Sequence, residues 1–271
     1  MNPKLQKRIQ RYGWDLALPS YERTWEEQLK PAQELLMQLA APREGERVLD
    51  VAAGTGLVTF RIAAAVGSSG HVLGTDISGE MVRSSAELAA GRGLAHVEFR
   101  RMEAEKLECD DASFDLVTCA LGLMYVTDVP GCLAEMLRVL KPGGRAVVAV
   151  WGARRNCGWA EVFPIVDARV QSEVCPMFFN LGSGETLKGE LARAGFADVT
   201  GEHLNSTLHY ANAADACAAA FEGGPVALAW SKFPDDVKAT ARAEYLASIE
   251  SYRSGDGYAV PGEFVVARGV K

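Results

Sequence analysis

The sequence predicts an α/β fold, a doubly wound, mostly parallel sheet with helices on both faces. Three observations predict it. Between residues 46 and 151, apolar runs of strand length alternate with helical segments, the pattern of consecutive βαβ units. The first run, RVLDVA (47–52), leads into a small-residue turn, AGTG, that opens a helix. A chain of 271 residues, 48% of them hydrophobic, is long enough to bury one large core with a cap.

Each element follows in order. Residues 3–11 and 22–40 read as N-terminal helices. RVLDVA is the first strand, LVTFRIAAAV a helix and GHVLGTDIS the second strand. SGEMVRSSAELAAGRG is a helix with Ser78 as N-cap and Met81 in its first turn; AHVEFRRMEA is the third strand and FDLVTCAL the fourth. VPGCLAEMLRVLKPGG reads as a helix stopped by Pro-Gly-Gly, and RAVVAVW is the fifth strand. An irregular stretch to Gly184 precedes the helix ETLKGELARAG and the strand-like FADVTGEHLNSTLHYA. Helices AADACAAAF and DDVKATARAEYLASIESYR follow, and EFVVAR closes the count at seven strands.

This divides the chain into an N-terminal helical segment, 1–45, and a main domain, 46–271, with helical insertions at about 152–184 and 211–257. Open α/β sheets bind ligands at the carboxyl edge of the strands, beside which these insertions fall. They are expected to wall or cover a site, to thicken the fold, or to form a homodimer face.

Composition excludes several classes. The net charge is −7 with no run of five like charges, which argues against a nucleic-acid or membrane partner and leaves small molecules. MNPKLQKRIQ has no apolar stretch behind it and no run of eighteen apolar residues occurs, so a cytoplasmic protein is expected. Cysteines 109, 119, 132, 157, 175 and 217 show no Cys-x-x-Cys spacing; they read as reduced, mostly buried thiols, with neither a metal site nor a disulfide framework.

The acids choose among cofactors. A glycine turn after a strand suits a dinucleotide pyrophosphate as well as other nucleosides. Asp50, at the end of the first strand, would repel a pyrophosphate, and Thr59 stands where a nicotinamide site expects a third glycine. S-adenosylmethionine carries an ammonium and a sulfonium and no phosphate, so carboxylates near it are favourable. Asp76 ends the second strand, placed to accept hydrogen bonds from both ribose hydroxyls, with Ile77 beside it for the adenine face. Glu103 follows the third strand, where a carboxylate can accept from the adenine amine while Ala104 offers a backbone N–H.

VLDVAAGTG, GTDIS, RRMEAEKL, FDLVTCALGLMYVTD and RVLKPGGR together resemble the Rossmann-like class I S-adenosylmethionine-dependent methyltransferases, nearest to the quinone-biosynthesis C-methyltransferase and small-molecule natural-product subgroup. The resemblance covers about residues 46–151, and VPGEFVVARG fits that fold's closing antiparallel strand. It implies that the loop from Asp50 through Ala52, Gly54, Thr55 and Gly56 holds the methionine part of the cofactor. It further implies Asp76 on the ribose, Ile77 and Met81 on the adenine faces, Glu103 and Ala104 on the adenine edge, and Cys119 to Leu121 beneath the methyl group. Tyr21 is expected to reach the methionine moiety from the N-terminal segment, which folds over the cofactor in related enzymes.

The family usually reads Asp-x-Gly-x-Gly-x-Gly, and Ala52 stands in the first glycine's place. Its methyl is tolerable at negative φ and costly at positive φ. Methyl transfer is an in-line displacement that needs alignment and desolvation, with a base only when the acceptor must lose a proton. No base stands out: His203 and His209 share one face of a strand as surface imidazoles, and His71 and His96 begin strands at the wrong edge.

Trp25, Tyr125, Trp151, Asn156 and Phe178 are the candidate acceptor-pocket residues. LGLMY compares with a glycine-leucine stretch of the quinone enzymes, whose following Arg-Asn is here Met124-Tyr125; the apolar lids suggest an apolar or aromatic acceptor. The rival readings are a cofactor-binding protein without catalysis and a nicotinamide-dependent oxidoreductase. Nucleic-acid methylation is disfavoured by the charge and by ALGL in place of an Asn/Asp-Pro-Pro-aromatic stretch.

Overall fold

The computed structural model describes residues 3–170 and 177–271; of the cysteines singled out above, Cys175 lies outside them. Helix α1 (Pro3–Ala40) leads into β1 (Arg47–Val51), α2 (Leu57–Val66), β2 (His71–Asp76), α3 (Gly79–Gly91), β3 (Val97–Arg101), β4 (Phe114–Ala120), α4 (Val129–Val139) and β5 (Leu140–Trp151). Then come α5 (Val162–Asp167), α6 (Thr186–Arg193), β6 (Ala197–Tyr210), α7 (Ala213–Phe221), α8 (Ala227–Ser231), α9 (Asp235–Ser248), a two-residue β7 (Arg253–Ser254) and β8 (Gly257–Val270).

The strands pair in the order β3-β2-β1-β4-β5-β8-β6, with β7 beside β8. The first five are parallel and β8 runs antiparallel to both β5 and β6. The expected mostly parallel α/β sheet is therefore present, its closing strand antiparallel as expected, and the two-residue β7 makes eight strands where seven were expected.

Alternation along the strands supplies the two cores. Val48, Leu116, Val147 and Val266 face one side, against Ile62, Ala63 and Val66 of α2 and Leu36 and Ala40 of α1. Leu49, Val117, Val148 and Val265 face the other, against Leu133 and Met136 of α4 and Leu187 and Leu191 of α6.

Two expectations about elements need correction. The N-terminal segment is one continuous helix of 38 residues, with Pro19 and Pro31 inside it. A proline removes one backbone donor and disfavours the helix by about 3 kcal/mol; burial of Ala17, Trp25, Leu29, Ala32, Leu36 and Ala40 along one stripe outweighs that. Arg145 fixes its end, donating to Ala40 O at 2.5 Å and Ala41 O at 2.8 Å and pairing twice with Glu46.

The Pro-Gly-Gly after α4, expected to terminate a helix, instead lies within β5. The ladder to β4 slips there, pairing Phe114 with Leu140 and then Leu116 with Arg145. A bulge absorbs the glycines that a regular ladder would not.

Among the described residues no helix is long and apolar enough to cross a membrane.

Candidate active site

Beyond the carboxyl ends of β1, β2 and β4 the turn 52–56 leads from β1 into α2. Ala52 has φ 56°, Gly54 56° and Gly56 89°. Gly56 is the N-cap of α2, and a Cβ there would stand 2.7 Å from Phe60. Ala52 is thus on the costly side, an L-residue held in the left-handed region at about 1–2 kcal/mol. Its methyl packs against the backbone of Gly122, where an added Cβ would stand 2.3 Å from it. Leu121 beside it is also left-handed, with φ 62°.

Asp50 is 1% exposed, and its carboxylate is held by two threonines: Thr59 Oγ1 donates at 2.6 Å and Thr118 Oγ1 at 2.7 Å. Thr59, which breaks the dinucleotide pattern, thereby holds the acid of the preceding strand. Burial pushes the Asp50 carboxyl up to about 6, opposed by the threonine hydrogen bonds and aided by Asp76. A raised folded-state pKa makes its contribution to stability full below the ordinary value near 4 and lost as pH rises through 6. That loss is about 3 kcal/mol. Asp50→Asn does not titrate, so its unfolding free energy relative to the parent chain should rise by up to this amount between pH 4 and pH 7 in urea titrations; a constant difference would contradict the assignment.

Asp76 is 9% exposed, and both its oxygens already accept backbone N–H groups: Oδ2 from Gly54 at 2.9 Å and Oδ1 from Ser78 at 2.9 Å. Burial pushes its carboxyl up, against these two bonds. Each oxygen keeps a second lone pair. Ser78 caps α3 as expected, accepting from Met81 N at 3.1 Å, while its hydroxyl donates to Asp15 of α1 at 2.6 Å.

Two cavities meet over this edge. The outer cleft, about 780 Å³, is walled by Ala52, Gly54, Asp76, Ile77, Met81, Ala104, Leu121 and Gly122, and roofed by Lys7, Gln10, Trp14 and Tyr21 of α1. The inner chamber, about 330 Å³, is walled by Trp25, Leu29, Met124, Trp151, Trp159 and the Gly223-Gly224-Pro225 turn. Trp14, Tyr21, Leu121 and Tyr125 belong to both, and so form the neck between them. Trp14 meets Tyr21 at 5.8 Å and Tyr125 at 5.1 Å, both edge-on. Burial and the nearby Asp76 push the Tyr21 phenol above its ordinary value, so it stays protonated.

Several of the sequence-based candidates lie elsewhere. Glu103 turns outward to Lys7 at 2.7 Å with its side chain half exposed, and Glu105 takes the place on the cleft wall. Glu105 also accepts from Thr127 N at 3.0 Å and its hydroxyl at 2.9 Å. Cys119 is buried behind Leu121 and Gly122, its thiol pushed up to about 12 chiefly by burial, and lines neither cavity. Thr55 is buried beneath the turn with its hydroxyl unpartnered among the described residues.

Asn156 is turned away from the chamber, its amide donating to Glu263 Oε2 at 2.9 Å. Phe178 stands behind the wall, 5.3 Å from the Tyr125 ring and 5.6 Å from Trp159. Trp25, Tyr125 and Trp151 do reach the chamber. His203 and His209 are exposed on β6.

Trp159, the 223–225 turn and Glu105 were not legible as wall residues. Trp159 lies in an irregular stretch without periodicity, and nothing in GGP distinguishes a chamber wall from an ordinary turn.

Solved structures share the fold. The YcgJ protein of Bacillus subtilis superposes with a TM-score of 0.61 at 19% identity, covering 89% of this chain and 98% of that one. Phosphoethanolamine N-methyltransferase 2 of Haemonchus contortus, crystallised with S-adenosyl-L-methionine, superposes with a TM-score of 0.62 at 18% identity over 95% of this chain and 57% of its own. At such identities the likeness is one of fold.

The family follows from the sequence comparisons. The model of the ubiE/COQ5 methyltransferase family matches residues 27–163. The ubiquinone/menaquinone biosynthesis C-methyltransferase UbiE of Azotobacter vinelandii is 36% identical over 187 residues, covering 64% of this chain and 74% of that relative. Its counterpart in Pseudomonas fluorescens is 34% identical, over 64% and 73%. The chain belongs to the ubiE/COQ5 methyltransferase family. It is an S-adenosylmethionine-dependent methyltransferase with a small-molecule acceptor.

Proposed function

We propose that the outer cleft holds S-adenosylmethionine and the inner chamber the methyl acceptor, with transfer at the neck between them. The observation that carries this reading is that the two cavities share Trp14, Tyr21, Leu121 and Tyr125 and no carboxylate. A donor in one and an acceptor in the other would meet at an apolar constriction, as an in-line displacement requires.

The residues fit the cofactor. Asp76 has a free lone pair on each oxygen for the ribose hydroxyls, and Ile77 and Met81 offer apolar contact to adenine. A Cβ at Gly54 would meet nothing within 4 Å, so the turn leaves open space beside it. Asp50, with Gln33, Ala52 and Tyr21, lines a small hollow behind the loop, and its charge favours the methionine ammonium. Ala104 and Glu105 replace the expected Glu103 pair at the adenine edge. Residues 1–45 then act as the cover and 46–271 as the transferase body.

When bound, S-adenosylmethionine supplies an electrophilic methyl on a sulfonium that leaves as a neutral thioether. The residues of this chain contribute position and dryness. Trp14, Tyr21 and Tyr125 line the neck with aromatic rings, which limit water there and suit a cationic centre. Leu121, held left-handed, sets the floor. Among the described residues the inner chamber presents no carboxylate, imidazole or amine, so a proton lost by the acceptor leaves to solvent. The charge of −7 and the aromatic, uncharged lining of the chamber support a small acceptor over a nucleic acid.

Isothermal titration with S-adenosylmethionine, S-adenosylhomocysteine and NAD tests the cleft. Micromolar affinity for both adenosyl ligands and none for NAD is expected; NAD binding alone would end the reading.

A further inference from the structure

The outer face of α1 carries apolar side chains that the fold leaves uncovered. Among the described residues five large hydrophobic side chains are exposed, and three of them lie on this helix: Leu5 at 50%, Tyr12 at 45% and Leu16 at 48%. Single exposed hydrophobics are ordinary, but these three are aligned. With the half-buried Ile9 they fall at 5, 9, 12 and 16, the alternating steps of four and three that keep side chains in one seam. The roof of the cavities, Lys7, Gln10, Trp14 and Tyr21, projects from the opposite side of the helix. The stripe is thus a second seam, turned to solvent.

This seam matches itself when reversed. With Leu5 set opposite Leu16 of an antiparallel second copy, Ile9 falls opposite Tyr12, and a twofold axis repeats both contacts. The charges favour that direction. Residues 4–11 carry four basic side chains and no acid, whereas residues 15–27 carry four acids and one base. Antiparallel pairing lays each basic end along the other helix's acidic half and opposes the two helix dipoles; parallel pairing stacks like on like. The same acids disfavour an anionic membrane as the occupant. Beside the seam, exposed Arg8 comes next to Asp15 of the second copy. Asp15 accepts from Ser78 Oγ and Glu80 N through Oδ1, which leaves Oδ2 for that contact. Four side chains over a rise of about 17 Å make less than the roughly 800 Å² per partner of a standard interface, so the pair is reversible.

We propose that α1 is a self-association surface: two copies of the chain pair antiparallel along Leu5, Ile9, Tyr12 and Leu16, with Arg8 of each beside Asp15 of the other. The pairing leaves the roof residues on the far side and does not depend on what the cavities hold.

Sedimentation velocity of the full chain, from micromolar to submillimolar concentration, should show a monomer–dimer equilibrium. Leu16→Glu should weaken the dimer by about a hundredfold or more, because two carboxylates would be buried in one seam. Arg8→Glu should weaken it by about fivefold or more, by setting like charges side by side. Cysteine pairs read the register. Leu5→Cys mixed with Leu16→Cys should give a linked dimer under mild oxidation, with the parent chain as control for its own thiols. Neither variant alone should link, since its two copies stand about 17 Å apart along the helix axis, beyond the reach of a disulfide.

A chain that stays monomeric throughout, a dimer indifferent to Leu16→Glu, or links formed within Leu5→Cys alone overturns the proposal. So does a monomer that binds phosphatidylglycerol vesicles and loses that binding in Leu16→Glu, which would make a membrane the occupant. The cysteine mixture decides even if Leu16→Glu fails to fold.

Discussion

Asp76→Ala should weaken S-adenosylmethionine and S-adenosylhomocysteine by about a hundredfold or more. Hydrogen bonds to a charged group contribute about 1.5–3 kcal/mol each, and a ribose would make two to this carboxylate. The same oxygens hold Gly54 N and Ser78 N, at the turn and at the start of α3, so the variant also loosens both walls of the cleft. Asp76→Asn separates the two effects. It keeps one acceptor oxygen for the backbone but loses the charge, and should fall between the parent and the alanine variant by titration calorimetry. Parent-like affinity in Asp76→Ala would remove the ribose assignment.

Gly122→Ala should destabilise the protein by about 2–3 kcal/mol, the upper range for forcing extra volume into a packed core. Its new Cβ would lie 2.3 Å from the Ala52 Cβ and 3.2 Å from Cys119 Sγ. Adding Ala52→Gly should restore most of the loss, because it removes the atom in the way. Ala52→Gly alone should change stability little: release from the left-handed region, about 1–2 kcal/mol, is offset by the lost methyl at about 0.8 kcal/mol and by the added chain entropy of glycine. Urea denaturation of the four chains gives the coupling energy directly. Additive effects would show that the two positions do not touch.

The pair explains how the family's glycine could become alanine here. The second residue of the contact is itself a glycine, and its empty side takes the methyl.

The sheet was legible because its signal is local. Each strand from RVLDVA to RAVVAVW is a short apolar run between turn residues, and each helix has its own period. What misled was the chain's punctuation. Residues 12–21, with Pro19 among them, fall outside both expected N-terminal helices, yet the stripe of buried residues on either side of that proline holds the helix through. Pro-Gly-Gly reads as a stop, yet the sheet takes it in as a bulge.

In the site, the carboxylates at strand ends were visible because a strand's end fixes where its side chain goes. For Glu103, RMEAEKL offers two acids, two residues apart in a turn and both within reach of Lys7, and only the fold decides that Thr127 holds Glu105 on the cleft wall while Glu103 stays half exposed. Trp159 and Gly224 lie in stretches whose placement depends on distant packing, which no local pattern encodes.

Helix α1 carries a further consequence. Lys7, Gln10, Trp14 and Tyr21 touch the outer cleft, and Trp14, Tyr21, Trp25 and Leu29 the inner chamber, all from one rod. Whatever order the first ligand imposes on that rod, the second ligand finds already in place. On the proposed assignment this links occupancy of the two cavities, and the linkage is reciprocal: whatever factor the donor brings to the acceptor's affinity, the acceptor brings to the donor's.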